Sequence, residues 1–386
     1  MPPVPRALYA AALGSGFSYA NLAVALPLYA IATGRSAGFA AELLAAQTLA
    51  IAGGALVAGR LLHRRSAWGA LAVGLTAMGL AQGSLLAVSA AAALMPGAVV
   101  HGLGMGVFWV ATQALLARRS GSDGSERAFT NQYAVYTLGT AFGAAATGLA
   151  AALLAAAGLA HATSLRGTFL LAFGAALVSA GLCRRERPAA APGPVSASPT
   201  EGLSVQVPDL FLVAALGLVL PLTPILLKSL FGFSPLQIGV VVGCVAGAKI
   251  AGTLVAGRLA GAAGARRTVL AMLSLAVPFA LALAELRTAG VFVVVLLLTA
   301  LLTTGVWPVL VDAAHARVPL DERRSLAVAW NVREYLVIAA STAIGGWTFS
   351  AFDGPTVPLV AAAALLAVSA VSSATVFRRP VHALAS

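Results

Sequence analysis

Charge is the first scarcity. Only 9% of the 386 residues are Asp, Glu, Lys or Arg, where a soluble domain usually gives about a quarter of its chain to them. With 60% apolar residues and a mean hydropathy of +0.94, a water-facing globule is excluded and a lipid bilayer is the fitting solvent. Lysine is nearly missing, since Lys228 and Lys249 are the whole complement, so almost all of the net charge of +12 rests on arginine. The arginines stand in short breaks between apolar runs, a distribution that reads as membrane topology and excludes nucleic acid as a partner. Cysteine is equally sparse. Cys183 and Cys244 lie far apart in or beside apolar segments, which excludes a disulfide framework and a cysteine metal site and leaves them as packing residues. A cleaved leader is not expected: the first apolar run follows Arg6 in a Pro-rich start, shows no small-residue cleavage site, and is followed by many similar runs.

Long apolar runs are what the chain has instead. A helix needs about 20 mostly apolar residues to cross the hydrocarbon core. Divided at its charged and Pro/Gly breaks, the sequence offers twelve such stretches, near 8–31, 39–62, 67–90, 97–117, 127–153, 165–183, 209–230, 236–260, 268–286, 290–316, 325–350 and 356–377. The expected class is therefore an all-α membrane protein. If the N-terminus is cytoplasmic, the breaks on that side carry sixteen arginines, among them Arg6, Arg64, Arg65, Arg118, Arg119, Arg266 and Arg267. The other side carries Arg35, Arg166, Lys228 and Arg287. That excess places both termini in the cytoplasm of a multi-pass protein of the cytoplasmic membrane. Residues 184–208, rich in Pro, Ala and Ser without apolar periodicity, read as a flexible cytoplasmic linker. It separates six spans in 1–183 from six in 209–386.

The two halves repeat one another. AGGALVAGRLLHRRS at residues 52–66 answers AGTLVAGRLAGAAGARRT at 251–268, LPL at 26–28 answers 220–222, and GVFW at 106–109 answers GVWP at 305–308. NQY at 131–133 answers REY at 333–335, and TAFG ending at Gly143 answers TAIG ending at Gly345. Five matches in the same order, with slowly drifting offsets, indicate duplication. An even number of spans per half gives the copies one orientation, related by an axis along the membrane normal.

Twelve helices in two parallel repeats resemble the major facilitator superfamily of secondary transporters, and the resemblance covers the whole chain. The family's motif after the second helix of each half, G-x-x-x-D-[RK]-x-G-[RK]-[RK], falls on Gly59, Arg60, Arg64 and Arg65 and again on Gly257, Arg258, Arg266 and Arg267, with His63 and Gly261 at its acidic position. On helix 4 the spaced glycines of the family's proton-coupling motif are Gly102, Gly104 and Gly106, and His101 stands where the family has arginine. Helix 5 has Gly139, Gly143 and Gly148 without the proline of the drug antiporters. The resemblance implies two six-helix bundles rocking about a midplane site, a small-molecule substrate, protons as the coupling ion, and no cofactor or metal. A monomer is expected.

Charge at the bilayer centre costs about 2.5–3.5 kcal/mol per residue, so ionisable side chains within spans should face a partner or a watery cavity. They are Glu42, His101, Lys249, Asp312, Arg333 and Glu334. Lys249 lies near the middle of its span, too deep to reach either surface with ease, and its repeat counterpart is Ile51. GCVAGAK around it is not a phosphate loop, because Ile250 follows the lysine and the stretch is an unbroken apolar helix. Arg333 and Glu334 answer the neutral Asn131 and Gln132. Adjacent residues point about 100° apart on a helix, so Glu334 is expected to meet Lys249, or Arg333 to bridge to Asp312 and merely tie helices 10 and 11. Asp312 near a helix end suits a gate or capping pair. His101 reads either as a histidine bonded within its bundle or, with Met105 four residues on, as half of a soft-metal pair, and no second such pair occurs. Glu42, within a turn of the outer surface, reads as solvated. Gln47, Gln113, Asn131, Gln132, Tyr133 and Trp109 supply neutral polar and aromatic candidates from the first half. Trp307, Trp330 and Tyr335 answer them from the second.

The expected activity is proton-coupled efflux of a small metabolite or drug, with uptake of a small anion as the rival. A membrane enzyme would need an intramembrane catalytic constellation or a sizeable soluble domain, and neither is found in the sequence.

Overall fold

The computed structural model describes residues 6–64, 66–87, 94–117, 125–186, 200–315, 323–352 and 354–377. The first half comprises α1 (Arg6–Ala32), α2 (Ala37–Arg64), α3 (Ala67–Ala87), α4 (Leu94–Ala117), α5 (Ser125–Ala156), α6 (His161–Gly167) and α7 (Phe169–Arg184). The second comprises α8 (Thr200–Val219), α9 (Thr223–Phe231), α10 (Pro235–Ala263), α11 (Ala265–Glu285), α12 (Ala289–His315), α13 (Arg323–Ala351) and α14 (Thr356–Val376). With α6 and α7 joined at Thr168, and α8 and α9 at a turn around Pro221, these make twelve rods. Eleven are long and apolar enough to cross a membrane. The twelfth, α13, has 29 residues and interrupts its apolar sequence with Asn331, Arg333 and Glu334. It stays in the bundle because α2 and α8 cover it on two sides.

Local chemistry sets the breaks. Ser234 caps α10 and exchanges hydrogen bonds with Gln237, and Pro235 fills the first turn, where its missing N–H costs nothing. Gly264, at φ 85°, separates α10 from α11. The two LPL copies end differently. Pro27 lies inside an unbroken α1, whereas Pro224 follows Pro221 by three residues, and two absent N–H groups in one turn split the second copy into α8 and α9.

One boundary departs from the sequence reading. The linker expectation ran to residue 208, yet α8 begins at Thr200 and residues 200–208 are helical. Pro208 does not interrupt this helix. It sits within α8, and its carbonyl accepts a hydrogen bond from Ser369 Oγ at 2.8 Å, the kind of neighbouring support that lets membrane helices carry proline. Residues 187–199 lie outside the described residues.

The duplication is visible in packing. A Cβ on Gly54 of α2 would run into the carbonyl of Leu103 on α4, and one on Gly252 of α10 into the carbonyl of Leu301 on α12. Both glycines belong to the repeated G-x-LVAGR stretch. Without a hydrophobic drive between helices in lipid, small residues that let backbones touch are a main source of association. The halves meet through α2 against α13 and α5 against α10, with Gly148 and Gly239 in backbone contact at the second seam. At the end remote from the termini an apolar layer crosses both halves, including Leu26, Tyr29 and Leu43 from the first and Ile225, Leu226 and Leu227 from the second.

Candidate functional site

Between the halves lies a cavity of about 230 Å³. Tyr19 of α1, Met105, Trp109 and Gln113 of α4, and Tyr133, Tyr136 and Thr140 of α5 wall it on one side. The α8–α9 elbow at Leu220 and Pro221, Lys249 of α10, Trp307 of α12, and Asn331, Glu334 and Tyr335 of α13 wall it on the other. Spacing of four brings Met105, Trp109 and Gln113 to one face of α4.

Aromatic rings dominate the polar walls. Tyr133 and Trp307 stack across the seam with centroids 5.4 Å apart, and Trp109 meets Tyr136 edge-on at 4.8 Å. The apolar layer closes the cavity at the end remote from the termini. At the terminus-side end the bridging contacts among the described residues include the Tyr133–Trp307 stack, Asn331 Nδ2 donating to Gln113 Oε1 at 3.2 Å, and Val328, Val332 and Tyr335 of α13 packed against the core of the first half.

Two charged residues, Lys249 and Glu334, line this space among the described residues. Glu334 Oε2 accepts a hydrogen bond from Trp307 Nε1 at 3.3 Å. Lys249 is half-buried, and its backbone carbonyl accepts from Thr253 Oγ1, but its ammonium has no partner among the described residues. The Lys249–Glu334 ion pair anticipated from depth is therefore not formed. The two stand on separate helices and line one cavity. Ile51, the repeat counterpart of Lys249, also lines it, so the duplication placed an alkyl group and an ammonium at corresponding points of the two walls.

The remaining candidates divide by position. Tyr133 and Trp109 line the cavity with Lys249 and Glu334; Arg333, His101, Asn131, Gln132 and Gln47 do not. Arg333 is exposed on α13, and its Nη1 reaches Gln206 Oε1 at 3.5 Å. Asn131 is exposed and Gln132 buried. His101 is fully buried inside the first half: the Gln47 amide donates to Nδ1 at 3.2 Å, so Nε2–H faces Ser18 Oγ at 3.1 Å, and Gln82 donates to the Ser18 carbonyl at 3.0 Å. The sulfur of Met105 accepts from Ser15 Oγ at 3.4 Å. Imidazole and thioether are thus both occupied, which leaves the soft-metal pair without free ligands. Gly59, Gly257, Arg60, Arg258, Arg266 and Arg267 sit at the terminus-side ends of α2, α10 and α11, the four arginines exposed. Asp312 is exposed near the end of α12. Arg64 closes α2, and Arg65 lies outside the described residues.

A polar cluster behind the cavity was not anticipated. Asp209 on α8 is completely buried, and neither carboxylate oxygen has a hydrogen bond of good geometry. Its electrostatic neighbours are Glu334 and the Trp330 indole. Gln206, one turn earlier, donates to the Trp330 carbonyl at 3.0 Å. The available signal was the three-residue spacing of Gln206 and Asp209 before an apolar run; Pro208 hid it.

A sequence model described as the Major Facilitator Superfamily matches residues 8–216 and 209–385. No curated protein matches the chain by sequence. Among solved structures, a bacterial homologue of the human lysosomal transporter Spinster, inward-facing and occupied, superposes with a TM-score of 0.77 at 13% identity, covering 96% of each chain. The Escherichia coli fucose:proton symporter, as its N162A variant, gives 0.69 at 12% identity, covering 97% of this chain and 98% of that one.

Proposed function

The chain belongs to the major facilitator superfamily, and on that premise we propose that it exchanges a small metabolite for protons across the cytoplasmic membrane, with both termini in the cytoplasm. The observation that carries this reading is Glu334. Its carboxylate faces the central cavity with an indole N–H for a partner instead of a cation. A proton and a cationic group of the substrate therefore compete for one site. Competition at one carboxylate couples opposed fluxes: a proton arriving from outside releases the substrate there, and loss of that proton inside readies the site for the next molecule. That order is efflux. Cavity size supports a metabolite over a drug, since about 230 Å³ falls below the roughly 300–1,000 Å³ of drug-sized pockets. The arginine excess on the terminus-side breaks supports the orientation. The terminus-side seal, Gln113 with Asn331 and Tyr133 with Trp307, is the gate that opens to the cytoplasm. The superposed fucose:proton symporter pairs this fold with protons in its own case.

Uptake of a small anion is the second reading, and the Lys249 ammonium, without a partner among the described residues, favours it. Purified protein in liposomes separates the two by the direction of solute flux under an imposed pH gradient. Glu334→Gln is expected to abolish gradient-driven movement and to retain solute-for-solute exchange. Undiminished gradient-driven accumulation in that variant contradicts the coupling role.

A further inference from the structure

Resting on the reading of this cavity as a transport site, we infer that its substrate is a small zwitterion carrying an ammonium and a carboxylate group. Lys249 and Glu334 line the same cavity from α10 and α13, and among the described residues neither is neutralised by the other or by another charged side chain. Opposite charges held apart in a low-dielectric space attract strongly and are costly to leave unsatisfied. A ligand that carries both complementary charges satisfies both groups at once. A plain anion would answer Lys249 alone, and a plain cation would answer Glu334 alone.

The walls assign the two ends. Trp307, Tyr133 and Tyr335 line the cavity with Glu334, and aromatic faces beside a carboxylate stabilise an ammonium through the ring quadrupole. The other lining residues of Lys249's own helix are aliphatic, Val242, Val245 and Ala246, and the ammonium is the cation on that wall that can hold a carboxylate. An engineered cavity of about 150 Å³ takes one benzene, so this one suits a molecule of roughly nine to twelve non-hydrogen atoms. The ammonium end occupies the site for which the proton competes, and the carboxylate end stays on Lys249 throughout.

The test is equilibrium binding to the purified full chain in detergent, with three probes on one skeleton: L-phenylalanine, phenethylamine and 3-phenylpropionate. Phenylalanine is expected to bind about tenfold or more tightly than either half-analogue. Lys249→Met should bind phenethylamine as well as phenylalanine, and Glu334→Gln should bind phenylpropionate as well as phenylalanine. A misfolded variant would lose all three probes, so these selective losses separate recognition from damage. The inference is overturned if the unsubstituted protein binds a half-analogue as tightly as phenylalanine, or binds none of the three at millimolar concentration. Binding needs no gradient, so the two readings fail separately. Anion-only binding with transport intact removes the zwitterion alone, whereas zwitterion binding by a protein that moves nothing in vesicles removes transport alone.

Discussion

At the scale of single residues, the charges that matter were legible because charge is so rare in this chain. Lys249 and Glu334 stood out in apolar runs, and both prove to line the cavity. Their pairing was not legible, because depth along a helix says nothing about which wall of the bundle a residue occupies. His101 shows the same limit: its imidazole sits inside one bundle, bonded to Ser18 and Gln47, where only tertiary packing could place it. Asp209 was lost to Pro208. Two outcomes follow from the residues as found. Trp307→Phe keeps a ring against Tyr133 but deletes the N–H that Glu334 accepts; a hydrogen bond to a charged group is worth about 1.5–3 kcal/mol, so the pH dependence of transport should shift while the protein remains folded. Asp209→Asn removes a carboxylate buried without good hydrogen bonds, and a buried charge without a partner is costly to keep. Thermal unfolding in detergent should show an equal or higher midpoint, and a fall of several degrees would mean that Asp209 is held by contacts stronger than those described.

At the scale of helices, the span count and order were readable from hydropathy, and the repeat from five matched fragments. What the repeat does was readable only in part. The sequence marks Gly59 and Gly257 as motif glycines, yet a Cβ on either meets open space, whereas the inconspicuous Gly54 and Gly252 abut carbonyls of the neighbouring helix. Gly252→Ala and Gly54→Ala should each destabilise by about 1–3 kcal/mol through overpacking, and Gly59→Ala and Gly257→Ala should be near neutral; matched unfolding curves for all four would refute that distinction. The α8–α9 elbow belongs to the same scale. Pro221 and Pro224 both break the helix and line the cavity, which is where a discontinuous helix bends during access changes. Restoring backbone donors with Pro221→Ala and Pro224→Ala together should slow transport more than it weakens binding. A change in affinity at constant rate would assign the elbow to recognition instead.

At the scale of the whole molecule, two bundles enclose a cavity bounded by an apolar layer at one end and, among the described residues at the other, by contacts of α13 and α12 with the first half that include the Gln113–Asn331 hydrogen bond and the Tyr133–Trp307 stack. Two-bundle architecture could be inferred from duplication and an even span count. The closing contacts could not, because they depend on which residues of the two copies come to face one another: Gln113 lies 218 positions from Asn331. If the halves rock, the terminus-side contacts must part in every cycle. The most direct measurement replaces Gln113 and Asn331 with cysteine in a chain carrying Cys183→Ser and Cys244→Ser, joins them with a short cleavable bis-thiol reagent, and follows solute flux in liposomes. The bridge should stop transport, and its cleavage should restore it. Transport that continues at full rate with the bridge intact would contradict alternating access through this end of the molecule.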